Sequence, residues 1–329
     1  MSARRAGGAI LVFTALATLG ASVLAPHSID ARFAGLLNAP PTAIHVRDDA
    51  GNWRAPFIYP WKRVSQLEQQ YEADRSAPIP LMWLTAGHLA QSSDDARAPL
   101  LLLGADSFGR DVFSRLLFGA RLSLGLSLLA AVGALLIGGL AGGIAGYLGG
   151  TVDDAMMRAS DFVLVLPAMY VALALRSMMP LQLPARTVFL LLTGIFAIIG
   201  SPFITRGVRA IVRTERTLDY AAAARSLGAG HVRVLTRHLL PATRGFMVVE
   251  LTLLLPAFIV AEATLSYVGL GFPDTMASWG TMLQDASSIS AFADFPWLLS
   301  PAAAMFIVVF ALNLTLQRGS RGLHYERPM

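Results

Sequence analysis

Long uninterrupted apolar blocks constrain this chain more than any other feature. A helix rises 1.5 Å per residue, so about 20 apolar residues cross roughly 30 Å of hydrocarbon. Six stretches approach that length: Gly8–Ala25, Leu122–Tyr147, Phe162–Met179, Thr187–Ile204, Phe246–Val268 and Trp297–Leu316. They lift the apolar share to 55% and leave 14% charged, where soluble domains carry about 25%. A lipid-exposed segment must satisfy its backbone internally, so the blocks predict helices. The expected fold class is an all-α integral membrane protein with about six transmembrane helices. Arg4 and Arg5 before the first block, and Ala-Ser-Val-Leu-Ala-Pro at its end, also suit a cleaved leader. The five blocks that follow favour a retained anchor helix over residues 1–27.

Charge sets orientation rather than a nucleic-acid role. The net charge is +5, but Lys62 is the sole lysine, and the arginines crowd the loops beside apolar blocks. Arg206–Arg244 holds eight arginines against Glu215 and Asp219. Gly269–Pro296 holds Asp274, Asp285 and Asp294 with no basic residue, and the tail carries Arg318, Arg321 and Arg327. Positive-inside reasoning then puts both termini and the Asp219–Pro241 segment in the cytoplasm. It puts the long polar stretch after the first block outside. That stretch, Pro26–Leu103, reads as a small insertion rich in proline and aromatics, with a short amphipathic helix expected over Trp61–Asp74, where Val64, Leu67 and Tyr71 have helical spacing.

Catalytic chemistry is not visible. There is no cysteine, so thiol catalysis and thiolate metal sites are excluded. The six histidines form no metal-ligand spacing, and no Gly-x-x-x-x-Gly-Lys-[Ser/Thr] loop is present to cradle a nucleotide. The chain is expected to hold no metal or cofactor and not to be an enzyme.

Asp219–Pro241 (DYAAAARSLGAGHVRVLTRHLLP) is the unusual element, short and basic between two blocks too apolar for water. Thr217 and Asp219 are capping residue types. Tyr220–Leu227 is strong helix-former sequence, and Gly228-Ala229-Gly230 can end it. A second helix over Val232–Leu239 is expected to put Val232, Leu235 and Leu239 on one face, with Arg233 and Arg237 on another. The result is a helix–turn–helix on the membrane surface. It suits an ordinary interfacial helix, or a docking surface where Ala221–Ala224 admit a partner's backbone.

The segment resembles the cytoplasmic signature of permease subunits of binding-protein-dependent ABC importers: Glu-Ala-Ala, three residues, Gly, nine residues, Ile-x-Leu-Pro. Ala223, Ala224 and Gly228 match, and Leu240-Pro241 close the motif at the right distance. Ala222 stands where the signature has Glu, and His238 where it has Ile. Three further runs resemble the dipeptide, oligopeptide and nickel permeases. One is Gly104-Ala-Asp-Ser-Phe-Gly-Arg-Asp-Val-Phe-Ser-Arg, with Ala105 for the usual Thr. The second is Ala261-Glu-Ala-Thr-Leu-Ser-Tyr-Val-Gly-Leu-Gly followed by Ser278-Trp-Gly, which is similar to the second of the two permeases of such systems. The third is Ala311-Leu-Asn-Leu.

The resemblance implies a MetI-like permease fold in a bacterial inner membrane, with an extracytoplasmic insertion over 28–103 and a permease domain over 104–329. It implies coupling helices at about 218–240, with Asp219, Ala222, Ala223, Ala224, Gly228, Leu240 and Pro241 at the contact. It implies a homologous second permease, two ATPase subunits that bind ATP and Mg, an external solute-binding protein and surrounding lipid, but no nucleic acid. The solute would be a peptide or a relative.

Three acids, Asp161, Glu250 and Glu262, lie in or near apolar blocks, where ionisable groups are costly and face protein or a water path. Glu250 is the stronger pathway candidate; Asp161 and Glu262 suit hydrogen-bonded roles near span ends. Gly138, Gly139, Gly142, Gly143 and Gly146 suit close helix packing. Pro167 and Pro256 are candidate kinks. Gly104, Asp106, Gly109, Arg110 and Asp111 are expected to form a turn holding a short interfacial helix before the second span, with Arg110 and Asp111 making local hydrogen bonds. The rival reading is a stand-alone secondary transporter or channel, which predicts internal repeats and several mid-span charges. No repeat is evident, and Glu250 is the one mid-span acid.

Overall fold

The computed structural model describes residues 3–48, 51–65, 69–85, 87–177, 183–287 and 293–316. Its contacts divide the chain into two units: residues 1–123 with 266–329, and residues 124–265.

The first unit begins with α1 (Ala3–Leu19) and the short α2 (Ala21–Leu24). It ends with α10 (Trp279–Asp285), a 3-10 turn (Pro296–Leu299) and α11 (Ser300–Leu316). α1 lies along α11. Gly7, near the start of α1, meets Ala311, Leu314 and Thr315 near the end of α11, so the two helices run antiparallel. A side chain at Gly7 would lie 2.7 Å from the Ala311 carbonyl, which is why the crossing needs glycine. Arg121 closes the other end of α1, its Nε donating to the Thr18 carbonyl at 2.7 Å.

Between these helices the chain forms strands, so the expectation of an all-α fold is corrected. β1 (His45–Arg47), β2 (Trp53–Ile58), β5 (Ile79–Thr85) and β6 (His88–Ser92) make one antiparallel sheet in the order β1-β2-β5-β6. β3 (Trp61–Ser65) and β4 (Gln70–Ala73) make a second, two-stranded one. The amphipathic helix expected over Trp61–Asp74 is therefore a hairpin, with Arg63 opposite Tyr71. Its burial alternates along the strand: Trp61, Arg63 and Ser65 are half-buried, while Lys62 and Val64 are exposed. A two-residue period wins over the helical spacing because Trp61 and Tyr71 cover a core of Leu36, Ala39, Leu101 and Ala105. Tyr71 also donates to the Leu37 carbonyl at 2.6 Å. Leu67 lies outside the described residues.

The second unit is helical. α3 (Val112–Leu148) enters it from the first; α4 (Gly150–Val165), α5 (Ala168–Ser177), α6 (Ala185–Glu215), α7 (Asp219–Ser226), α8 (His231–Val234) and α9 (Arg244–Tyr267) follow. The α3 glycines form a ladder. Gly138, Gly142 and Gly146 face the α6 backbone at Ser201, Thr205 and Arg209, while Gly139 and Gly143 face Met247 and Leu240. Packing accounts for all five.

Four segments among the described residues are long and apolar enough to cross a membrane: α3, α6, His231–Tyr267 and Pro296–Thr315. The other two expected spans differ. The block at Phe162–Met179 is interrupted at Leu166-Pro167, where the chain turns extended between α4 and α5, because proline removes a donor and disfavours helix at the residue before it. Met179 lies outside the described residues. The first block is the 17-residue α1 followed by α2. Pro256 sits inside a continuous α9. Arg318, Arg321 and Arg327 lie outside the described residues.

Candidate functional site

The surface arm that follows α6 is built on α7. Leu218, not Thr217 or Asp219, is the residue before the first turn, and no side chain caps it. The Thr217 hydroxyl instead donates to the Thr214 carbonyl, and Asp219 occupies the first turn, where its charge favours the positive end of the helix. The other end is closed by backbone alone. The Gly228 N–H donates to the Arg225 carbonyl at 2.9 Å, and the Ala229 N–H to the Ala224 carbonyl at 3.0 Å. These are the two bonds of a Schellman motif, which needs a left-handed residue, and Gly228 has φ +83°.

The alanines divide between two faces. Ala221 and Ala224 are buried in a cluster with Val208, Val212, Val234 and Leu239. Ala222 and Ala223 point outward, as does Leu227 at 89% exposure. Ala224 thus anchors the arm to its own chain, while Ala222, Ala223, Leu227 and Gly228 form its outer face.

The second half of the arm is not one regular helix. After α8 the backbone loosens into a π-turn (Leu235–Leu239) and tightens into a 3-10 turn (Leu240–Thr243) that takes Pro241 in its first positions. The wider turn shifts the phase. Val232, expected inward, is 76% exposed, while Val234 and Leu239 are buried. Arg233 and Arg237 line a groove of about 310 Å³ with Leu227, Gly228 and His238, so the outer face of α7 is continuous with a basic, partly apolar recess. The arm is tied down by polar contacts: the Arg216 guanidinium donates to the Tyr147 carbonyl at 2.8 Å, and the Tyr147 hydroxyl lies 2.7 Å from His231 Nδ1.

In the first unit, the motif before α3 is a tight turn and no separate helix; α3 starts directly at Val112. Gly104 and Gly109 both have φ +73° and press on the Ala39 and Phe33 carbonyls. Asp106 accepts the Phe108 and Arg110 N–H groups at 2.9 Å each and the Arg110 Nε at 2.6 Å. Arg110 also donates to the Asp274 carbonyl at 3.1 Å and to Asp285 at 2.7 Å. Asp111 caps α3, accepting from Ser114 and meeting His27 Nδ1 at 3.1 Å. The residues expected to bond locally therefore also hold together distant parts of the chain.

Burial opposes a charge on His27, but the carboxylates of Asp111 and Asp95 outweigh it and raise its pKa to about 9. Burial pushes Asp285 up to about 6 although Arg110 pulls it down. His27, Asp95 and Asp285 were not singled out as candidate site residues, because nothing in a single sequence signals which distant loop will meet a turn. Arg115, 3.6 Å from Asp106, belongs to the Gly-Arg-Asp-Val-Phe-Ser-Arg run and was recoverable from it.

The three acids considered for a pathway do not converge. Asp161 is exposed and paired with Arg206. Glu250 is half-buried and Glu262 fully buried on α9. Twelve residues separate the two glutamates, about 18 Å along a helix axis. Among the described residues no cluster of three or more potential metal ligands occurs.

Apolar spans joined through a surface arm, with wide apolar helix faces left uncovered, define a multi-pass membrane protein. The chain belongs to the family of binding-protein-dependent transport system inner membrane components, whose model matches residues 134–321. It is 37% identical over 218 residues to the oligopeptide transport system permease protein OppC of Bacillus subtilis, covering 64% of this chain and 67% of that one. It is 37% identical over 211 residues to the dipeptide transport system permease protein DppC of the same organism (64% of each chain), and 34% identical over 212 residues to the glutathione transport system permease protein GsiD of Pectobacterium atrosepticum (64% and 68%). The matched part thus spans about two thirds of these relatives. As a member of this family the chain is a non-catalytic permease component of an ABC importer.

Proposed function

We propose that this chain forms half of the translocation pathway of an ATP-driven importer for di- or oligopeptides, or a closely related solute. Its partners are a homologous second permease, two ATPase subunits that bind ATP and Mg, and an external solute-binding protein. The observation that carries the proposal is the α7 arm, with an outer face of small residues, a glycine-closed end and an adjoining basic groove. An ATPase seats against Ala222, Ala223, Leu227 and Gly228, with Asp219, Leu240 and Pro241 setting the arm's ends and Ala224 holding it to α6. Movement of this arm shifts the spans between two states of different solute access. Uncovered apolar residues such as Leu136 and Leu140 on α3 and Phe306 and Phe310 on α11 suit lipid and a second permease.

The same reading makes α1 a retained crossing, residues 28–103 an extracytoplasmic insertion, and 104–329 the permease domain. Both termini and the arm are then cytoplasmic. Glu250 and Glu262 remain pathway candidates, and Asp161 a surface pairing residue. The relatives belong to oligopeptide, dipeptide and glutathione transport systems, which supports the solute class.

The test is Ala223→Arg in the assembled transporter. The side chain points outward, so the membrane fold survives while the ATPase is excluded. Co-purification of the ATPase and ATP-dependent peptide uptake in liposomes are both expected to fall at least tenfold. Undiminished uptake would sink the docking assignment.

A further inference from the structure

We propose that the tip of the β5–β6 hairpin, with the adjoining start of β2, is a membrane-interface anchor in which Trp83, Leu84 and Trp53 enter the headgroup–acyl boundary and Arg47 meets lipid phosphate. The inference rests on the reading of α1 as a crossing and is independent of the solute.

The placement follows from one end of α1. α2 continues α1 after a single residue, and α2 packs on β6. Nδ1 of His88, the first residue of β6, lies 2.6 Å from the Ala25 carbonyl just past α2. His88 pairs with Thr85 across the hairpin, so Trp83, Leu84 and Thr85 sit where the first crossing ends. α1 runs antiparallel to α11, itself part of a membrane-length apolar segment, so this is the level at which hydrocarbon gives way to headgroups. The exposed apolar stripe of α1 (Phe13, Leu16, Leu19) continues through Val23 on α2 toward the hairpin.

The tip itself is built for such a boundary. Leu84 is 77% exposed and holds φ +53°, a conformation that a bulky residue rarely takes. Trp83 beside it is 51% exposed. β2 runs antiparallel to β5 and pairs with it at Ile58–Ile79, so the start of β2 lies at the same end of the sheet. There Trp53 is 71% exposed, with the Arg47 guanidinium 4.2 Å from its ring centre. Indoles and arginine together suit the interface: a ring with a polar edge rests at headgroup depth, and a guanidinium binds phosphate. An isolated hairpin in water has no use for this set; one held against the end of a crossing does.

The chain has no cysteine, so Leu84→Cys creates its single thiol. The purified full chain carries a nitroxide there, in nanodiscs of phosphatidylethanolamine and phosphatidylglycerol. Collision rates with oxygen, which concentrates in lipid, are compared with those for a water-soluble nickel chelate. Leu16→Cys on α1 is the lipid reference, and Val64→Cys on β3 the aqueous one. The expected oxygen-to-nickel ratio at Leu84 is several-fold above Val64 and below Leu16. A ratio matching Val64 while Leu16 reads as lipid would overturn the anchor and leave the crossing intact. An aqueous Leu16 would overturn both, without touching ATP-dependent uptake by the assembled transporter. A Leu84 label that is aqueous until a purified external binding protein is added, and shielded from both reagents afterwards, would overturn the anchor in favour of a protein contact.

Discussion

Arg110→Gln is the substitution whose cost the structure fixes best. Arg110 is 3% exposed and joins Asp106 at 2.6 Å, Asp285 at 2.7 Å and the Asp274 carbonyl at 3.1 Å. Removing one partner of a buried ion pair costs about 3–5 kcal/mol, because the remaining charge is left uncompensated. Arg115 stays 3.6 Å from Asp106 and partly neutralises it, so the orphaned charge is chiefly that of Asp285. The lower end of the range applies, about 3 kcal/mol near neutral pH. A loss of that size lowers the unfolding midpoint of a chain this long by roughly 4 °C. The sign with pH follows from Asp285, whose carboxyl is raised to about 6 chiefly by burial. A carboxyl raised on folding binds more protons in the folded state, so its contribution falls as pH rises from its unfolded value through its folded one. Without Arg110 that folded value climbs further, so the deficit is largest above pH 7 and narrows as pH falls through 6. Adding Asp285→Asn to Arg110→Gln is expected to recover part of the loss, since it removes the stranded charge. The assay is the fraction of purified, detergent-solubilised chain that stays monodisperse after heating, read from pH 5 to pH 8. A deficit under about 0.5 kcal/mol, or one that ignores pH, would refute the reasoning.

Two further outcomes are expected. At Gly138, where a Cβ would lie 2.6 Å from the Ser201 carbonyl on α6, Gly138→Leu costs about 1–3 kcal/mol by forcing α3 off α6. Gly125→Ala on the same helix meets nothing within 4 Å and raises stability by up to about 1 kcal/mol; the same heating assay separates the pair. His27, lifted to about 9 by Asp111 and Asp95 against the cost of burial, contributes about 3 kcal/mol that is fully present below pH 6.5 and lost as pH rises through 9. A melting series from pH 6 to 9.5 is expected to show this slope in the native chain and not in His27→Gln; equal slopes would remove the assignment.

The parts of the fold legible in the sequence were those set by local spacing. Four apolar blocks became membrane-length helices because lipid leaves a backbone no other solution. The glycine ladder of α3 was legible as packing, since glycines four apart can only matter to a close neighbour. The insertion was not legible. Val64, Leu67 and Tyr71 have helical spacing, yet Trp61 and Tyr71 are placed by a core that includes Leu101 and Ala105, 30 to 44 residues further on. No window along the chain contains that partner. The same limit hid His27 and Asp285: the Gly-Arg-Asp turn announced that Arg110 and Asp111 would be bonded, but not to what.

The arm shows how a motif match and a structural role separate. The match gave Ala223 and Ala224 equal weight, because spacing does not say which way a side chain points. In α7 the two lie about 100° apart, so one faces the chain and the other faces out. Ala224 packs with Val208 and Val212 of α6, and Ala223 is exposed. An arginine at Ala224 would therefore detach the arm from its own spans, and lost transport would say nothing about docking. An arginine at Ala223 challenges a partner alone. Gly228 is intermediate: its Cβ position meets nothing of this chain within 4 Å, so Gly228→Ala strains the left-handed closure of α7 by about 1 kcal/mol while adding a single methyl to the outer face. If coupling needs a rigid arm end, that strain alone slows ATP-dependent uptake without releasing the ATPase. Co-purification of the ATPase distinguishes the two: Ala223→Arg blocks the face with a bulky charge and releases the partner, whereas Gly228→Ala is expected to keep it bound while uptake slows.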